Sequence, residues 1–238
     1  MVNILNNTNE IFENEESKTN LPSSTTELID EPLQIFNDMN NRFEYDEAIT
    51  ESVNKWLVEH KIEDKLLFET VYTHRDELKY AAFLGFLFSR GIGCKIHEEQ
   101  AFKYYKMKAD NWAAGQFWLG ICHYRGIGTA KNADKSFSWF MTAAAQGESR
   151  AMDWLGYLYQ CGGNSSNLKI NKRYAAYWYG KAANLGNRSA QSNFGTCYEL
   201  GIGLNRDLHE ALRWLQRAPE FTQDTVIRIL RKYRNLYY

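Results

Sequence analysis

Three groupings of side chains in this sequence are of types that could do chemistry. His74-Arg75-Asp76 spells the opening of a protein-kinase catalytic loop, whose Asp would take the proton of a substrate hydroxyl and whose downstream Asn would help hold a metal ion. Position 81 holds Ala where that Asn is needed, and no Gly-rich strand motif, strand lysine or Asp-Phe-Gly accompanies the tripeptide. A charged junction between helices is the reading that the surrounding residues support. Cys94 with His97, and Cys122 with His123, offer zinc-binding atoms, but structural zinc takes four converging ligands and no second pair is spaced to complete either set. The Gly-x-Gly turns at Gly91 to Gly93, Gly126 to Gly128 and Gly201 to Gly203 could cradle a phosphate. No strand pattern precedes them, however, and no Lys-Ser/Thr follows in P-loop register, so they read as helix stops. Catalysis therefore has no support in the sequence, and neither a cofactor nor a metal is expected.

Composition narrows the elements that could hold such residues. Of 238 residues, 44% are hydrophobic and 15% aromatic, with 7 Trp, 15 Tyr and 13 Phe but 3 Pro, a balance that suits helices packed by large flat side chains better than a loop-rich β-fold. No basic stretch followed by an apolar run marks a secretory signal after Met1, and no apolar run approaches the ~18 residues that span a bilayer. The expectation is a cytoplasmic protein without a membrane segment, whose cysteines, Cys94, Cys122, Cys161 and Cys197, are reduced thiols. Charge is divided along the chain: residues 1–80 carry 18 acidic and 7 basic side chains, whereas residues 81–238 carry 11 acidic and 21 basic. A basic second part favours acidic partners, and the nearest acidic segment is the chain's own N-terminus.

Residues 1–30 are rich in Asn, Glu, Ser and Thr with apolar residues at no period, and are predicted to be a disordered acidic tail. Residues 31–79 carry helical signals around Leu33 to Met39, Asp46 to His60 and Asp64 to Tyr72, which predict an N-terminal helical cap. Self-similarity then takes over. An apolar-Gly step followed six residues later by a second Gly recurs at Leu84-Gly85, Leu119-Gly120, Leu155-Gly156 and Phe194-Gly195, spaced 35, 36 and 39 residues apart. After each turn comes a residue suited to capping a helix, His97, Asn132, Asn171 or Asp207, and then a stretch that alternates small and aromatic residues, such as Ser136, Trp139 and Ala143. The glycines inside the first helices predict close approach of the partner helix backbone. Each unit is a helix, a Gly-rich turn and a second helix, and such hairpins bury their apolar faces only by stacking. The prediction is an all-α, α/α superhelical repeat solenoid, with repeats at about 80–111, 112–148, 149–187 and 188–220 and a capping helix over 221–238.

Leu155-Gly156-x-x-Tyr159-x-x-Gly162, the Gly-Ile-Gly turns and Trp139-Phe140-x-x-Ala143-Ala144 resemble the Sel-one-like repeat family, a tetratricopeptide-like family of helical repeats. That resemblance implies an adaptor or scaffold that holds subunits of signalling, quality-control or cell-wall synthesis complexes. The helices before the repeats look like those of expanded fungal sets in which the array trails a kinase domain, so a regulatory partner or remnant of a kinase-linked repeat protein is the alternative. His123, Tyr80, Gly115 and Pro219 depart from the family pattern; His123 aligns with Phe88, Tyr159 and Tyr198, which makes it a packing residue, while Tyr80 takes the place of a small Ala. Cys122 and Cys197 align with Leu87 and Leu158 and read as small core hydrophobes.

At 100° per residue, the positions two before, two after and five after the repeated Leu point away from the hairpin core on the first helix. Phe86, Phe117, Ile121, Tyr124, Asp153 and Tyr157 fall there, flanked by Trp118 and Trp154. They are the candidate partner-binding groove, an apolar ladder that would take a peptide or helical segment of another protein, of acidic character. The competing reading is that neighbouring hairpins or the cap cover them. Thr222 to Tyr238 could be a basic helix for nucleic acid or an anionic surface, although a cap over the last repeat accounts for it with less.

Overall fold

A computed structural model of the chain describes residues 27–41, 46–110, 112–163 and 168–218, together with Ile227 and Arg231. The expected tail over residues 1–26 therefore lies outside the described residues, as does all of the expected capping helix except Ile227 and Arg231, both helical and exposed. Among the described residues every regular element is an α-helix, and the chain is a helical repeat solenoid.

Three helices precede the repeats: α1 (Glu27–Asn41), α2 (Asp46–His60) and α3 (Asp64–Thr73). The first begins inside the segment predicted to be tail, because Ile29 finds a fully buried site and shares one apolar face with Leu33 and Phe36. Residues 27–30 thus belong to the fold. Their spacing of three and four is that of a helix stripe facing a core.

The repeats follow as hairpins: α4 (Leu78–Arg90) with α5 (Glu98–Lys108), α6 (Ala113–Arg125) with α7 (Ala133–Ala145), α8 (Ser149–Cys161) with α9 (Lys172–Asn184), and α10 (Arg188–Leu200) with α11 (Leu208–Leu215). Each first helix stops on a glycine in the left-handed region, Gly91, Gly126, Gly162 or Gly201. In α6 the Gly126 and Ile127 N–H groups both donate to the Cys122 carbonyl, at 2.7 and 3.0 Å, a Schellman closure that satisfies an otherwise orphaned carbonyl. The capping residues read from the sequence all cap. Asn132 Oδ1 accepts from the Lys135 N–H at 2.8 Å, Asn171 Oδ1 from Tyr174 at 3.2 Å, and Asp207 Oδ1 from His209 and Glu210 at 2.9 and 3.0 Å. His97 does the same more weakly, its Nδ1 lying 3.4 Å from the Gln100 nitrogen.

The backbone of these caps also ties each turn to its own first helix. The N–H groups of His97, Asn132, Asn171 and Asp207 donate to the carbonyls of Phe88, His123, Tyr159 and Tyr198 at 2.8 to 3.0 Å, the same position in all four units. This bond fixes the angle between the two helices of every hairpin, and it leaves the side chain at the cap free to do the capping.

Two kinds of glycine contact hold the stack. The glycine inside each first helix is covered by a side chain of the partner helix: Tyr105 on Gly85, Phe140 on Gly120, Tyr179 on Gly156 and Leu215 on Gly195. The close partner is chiefly this side chain and not the backbone that the sequence led us to expect. It follows the aromatic position read from the sequence by one residue; of the aromatics at that position, Tyr104 lies 5.7 Å from Phe88 and Trp214 5.2 Å from Phe194, each within its own hairpin. The second glycine of the Gly-Ile-Gly turn makes the contact between units. At Gly128 a Cβ would run into the Glu98 carbonyl of the previous hairpin, so helix stopping is only half of what the motif does. Gly115 has a similar reason, since the ring of Trp112 occupies the space an alanine would need. Tyr80, in place of a small residue, is fully buried at the entrance to the first repeat, its ring 5.6 Å from that of His74. One apolar core runs from Ile29 to Ala190, with smaller clusters carrying it into the fourth repeat.

Candidate protein-binding face

The first helices α6 and α8 touch each other directly, and side chains continue the contact from α8 to α10: Asn193 Nδ2 donates to Asp153 Oδ1 at 2.9 Å and Asn187 Nδ2 to Ser149 Oγ at 3.4 Å. The residues read from the sequence as an apolar ladder on the first helices do not form one open surface. Phe86, Phe117, Trp118, Ile121 and Asp153 are buried, Tyr124 and Trp154 are half-buried, and Tyr157 is 44% exposed.

The burial has identifiable causes. Phe86 lies 5.2 Å from Phe36 of α1, whose ring also meets Phe83 at 5.2 Å and Trp112 at 6.3 Å; the N-terminal cap fills the first rung of the expected groove. Trp118 stacks on Tyr105 at 5.6 Å, and Phe117 lies 5.9 Å from Phe140. The open part is a cluster of three rings across the second and third repeats. Tyr124 stands 4.9 Å from Trp154 and 6.4 Å from Tyr157, and Trp154 5.6 Å from Tyr157, all edge to face, the arrangement that aromatic quadrupoles favour. Tyr124 Oη donates to Tyr157 Oη at 3.4 Å, and this bond, with Cys161 nearby, pushes the Tyr157 phenol above its usual range. Behind it Phe140 stacks on Trp154 at 5.6 Å, so the cluster rests on the core.

Beside these rings lies a residue the groove reading missed. Arg150 is fully buried, its guanidinium 4.5 Å from the Phe117 ring centre and 5.7 Å from that of Trp118. It is paired through two parallel bonds with Glu148, Nε to Oε1 at 2.9 Å and Nη2 to Oε2 at 3.0 Å. Glu148 also caps α8 by accepting from the Arg150 N–H. The signal was present in the spacing: Arg150, Trp154 and Tyr157 stand at i, i+4 and i+7 and share one helix face.

The other candidate groups are placed as packing residues or turn residues. His123 is buried edge-on to Phe102 at 5.5 Å, and burial, with Lys135 adding to it, lowers its pKa. Burial pushes the Cys94 and Cys122 thiols up to about 12 and that of Cys197 to about 11, away from the thiolate that metal binding or nucleophilic attack would need. His74 Nδ1 lies 3.0 Å from the Thr70 carbonyl in the turn between α3 and α4, and Arg75 and Asp76 are exposed. Among the described residues no group of three His, Cys, Asp or Glu side chains converges as a metal site, and no helix is long and apolar enough to cross a membrane.

The Sel1 repeat family model matches four times, at residues 79–111, 113–148, 149–187 and 188–218. The chain belongs to the Sel1 repeat family. Sel1 repeats generally mediate interaction between proteins. Two curated relatives share the sequence: "Chitin synthase regulatory factor 3" of Schizosaccharomyces pombe, 34% identical over 130 residues, and "DAP3-binding cell death enhancer 1" of Rattus norvegicus, 33% identical over 79 residues. These matches take in 54% and 33% of this chain but span 14% and 15% of the relatives' own length. Among solved structures, a Sel1 repeat protein of Oxalobacter formigenes is 29% identical with a TM-score of 0.57, over 63% of each chain. A protective antigen of uropathogenic Escherichia coli with the same repeat fold is 18% identical with a TM-score of 0.60, over 82% of this chain and 46% of that one, a likeness of fold alone.

Proposed function

We propose that this Sel1 repeat protein is a scaffold or adaptor that captures a peptide or helical segment of a partner protein on its inner face, in signalling or complex assembly. The observation that carries this reading is the Tyr124–Trp154–Tyr157 cluster, which spans two repeats, rests on the core through Phe140 and presents Tyr157 to solvent. Rigid aromatics that keep an exposed edge bury much apolar area on binding with little loss of conformational freedom, which is why such residues dominate binding energies. Family membership supports it, and so do the names of the two relatives, one a regulatory factor and one named for binding another protein. Arg150 and Glu148 then hold the platform in place and are not themselves contact residues.

Affinity capture from a lysate with the whole chain, repeated with Tyr124→Ala and Tyr157→Ala, tests the site. The expected result is that the same prey is lost from both variants while their thermal unfolding stays close to that of the parent. Undiminished capture by both would move the binding surface elsewhere.

A further inference from the structure

On the reading that the Tyr124–Trp154–Tyr157 cluster binds a protein segment, we propose that the chain carries its own occupant for it: residues 10–16, Glu-Ile-Phe-Glu-Asn-Glu-Glu, dock there in cis with Phe12 on the rings, so that a partner must displace them. Several observations point the same way. The inner face already accepts an apolar segment from the N-terminal end of this chain, since α1 lays Phe36 against Phe83, Phe86 and Trp112. The same mode one step along would bring a second aromatic to the open cluster. Phe12 is the aromatic that residues 1–26 contain, with Ile11 beside it.

Charge is complementary as well. Residues 1–26 carry four acidic side chains and one basic, while residues 79–218 carry 18 basic and nine acidic, including exposed Arg125 next to Tyr124. Opposite charge favours encounter and register in such a contact. The C-terminal residues 219–238, with four basic and two acidic side chains, have the same sign as the repeats and lack this match. The ten residues 17–26 extend to about 33 Å, against about 20 Å for the two helix spacings from α4 to α8. A short tether gives an effective concentration of roughly millimolar, so a segment with only weak affinity as a free peptide would still occupy the site most of the time.

The test uses the whole chain with Ile11→Ala and Phe12→Ala, and a labelled peptide of residues 5–20 added in trans. If the tail fills the site about nine-tenths of the time, the wild-type chain binds the peptide about tenfold more weakly than the variant. Adding Tyr157→Ala to the variant abolishes peptide binding, and Arg125→Glu weakens it and flattens its dependence on salt. Equal binding by wild type and variant, no binding by either, or binding indifferent to Tyr157→Ala overturns the proposal. A wild-type chain that dimerises with rising concentration while the variant stays monomeric overturns docking in cis and places the tail on a second copy. Loss of captured prey from Tyr124→Ala and Tyr157→Ala, combined with no binding of the peptide, leaves the partner-binding face standing and removes only its occupant.

Discussion

Arg150 is a charge held at the centre of an aromatic face, between the rings of Phe117 and Trp118 and bonded twice to Glu148. Removing one member of a buried pair leaves the other charge poorly compensated and costs about 3–5 kcal/mol. Glu148→Ala is therefore expected to lower the urea midpoint of unfolding by far more than an exposed change such as Glu59→Ala, whose pairing with Lys55 lies at the surface and is worth about 1 kcal/mol or less. His123 makes a pH prediction. Its folded pKa lies below the ordinary 6.5, so the unfolded chain takes up the proton first, and the stability of the neutral, buried form is lost as pH falls below about 6.5. His123→Phe, matching Phe88 of the first repeat, is expected to flatten the fall in melting temperature between pH 7 and pH 5. The thiols should separate in alkylation at pH 8 followed by mass spectrometry: exposed Cys161 is modified first, and Cys94, Cys122 and Cys197, held as thiols, react slowly.

At the scale of the element, the turn of each hairpin does two separable things. Gly126 stops α6, and Gly128 lets the turn lie against the start of α5 in the previous hairpin. Gly147, between repeats, has the same sign of φ, +90°, but nothing within 4 Å of an added Cβ. Left-handed backbone costs a residue with a Cβ about 1–2 kcal/mol. Gly147→Ala should cost that much, and Gly128→Ala more than twice it, because the new methyl also meets the Glu98 carbonyl. Equal shifts in the denaturation midpoint of the two variants would show that contact between units does not depend on this glycine.

At the scale of the whole molecule, contacts run from each hairpin to the next, so damage should stay local. Phe36→Ala removes the ring that joins α1 to α4 and to Trp112, at a cost of about 3–5 kcal/mol. Hydrogen exchange should then accelerate in α1 and α4 while the amides of α8 and α9 keep their protection. The sequence by itself determined the hairpins, their period, the stops at Gly91 and Gly126 and the caps at Asn132, Asn171 and Asp207. Each of these rests on bonds between residues a few positions apart, so the pattern along the chain states the outcome. Only the tertiary structure decided which outward-pointing aromatics stay open. Phe86 is covered by Phe36 from a helix that begins inside the predicted tail, and Phe117 by Phe140 and Arg150 from the next helices, while Tyr157 keeps 44% of its surface. An angle of 100° per residue gives a side chain's direction on its own helix. What fills the space in front of it depends on the rotation between repeats and on segments far away in sequence, and a period carries neither.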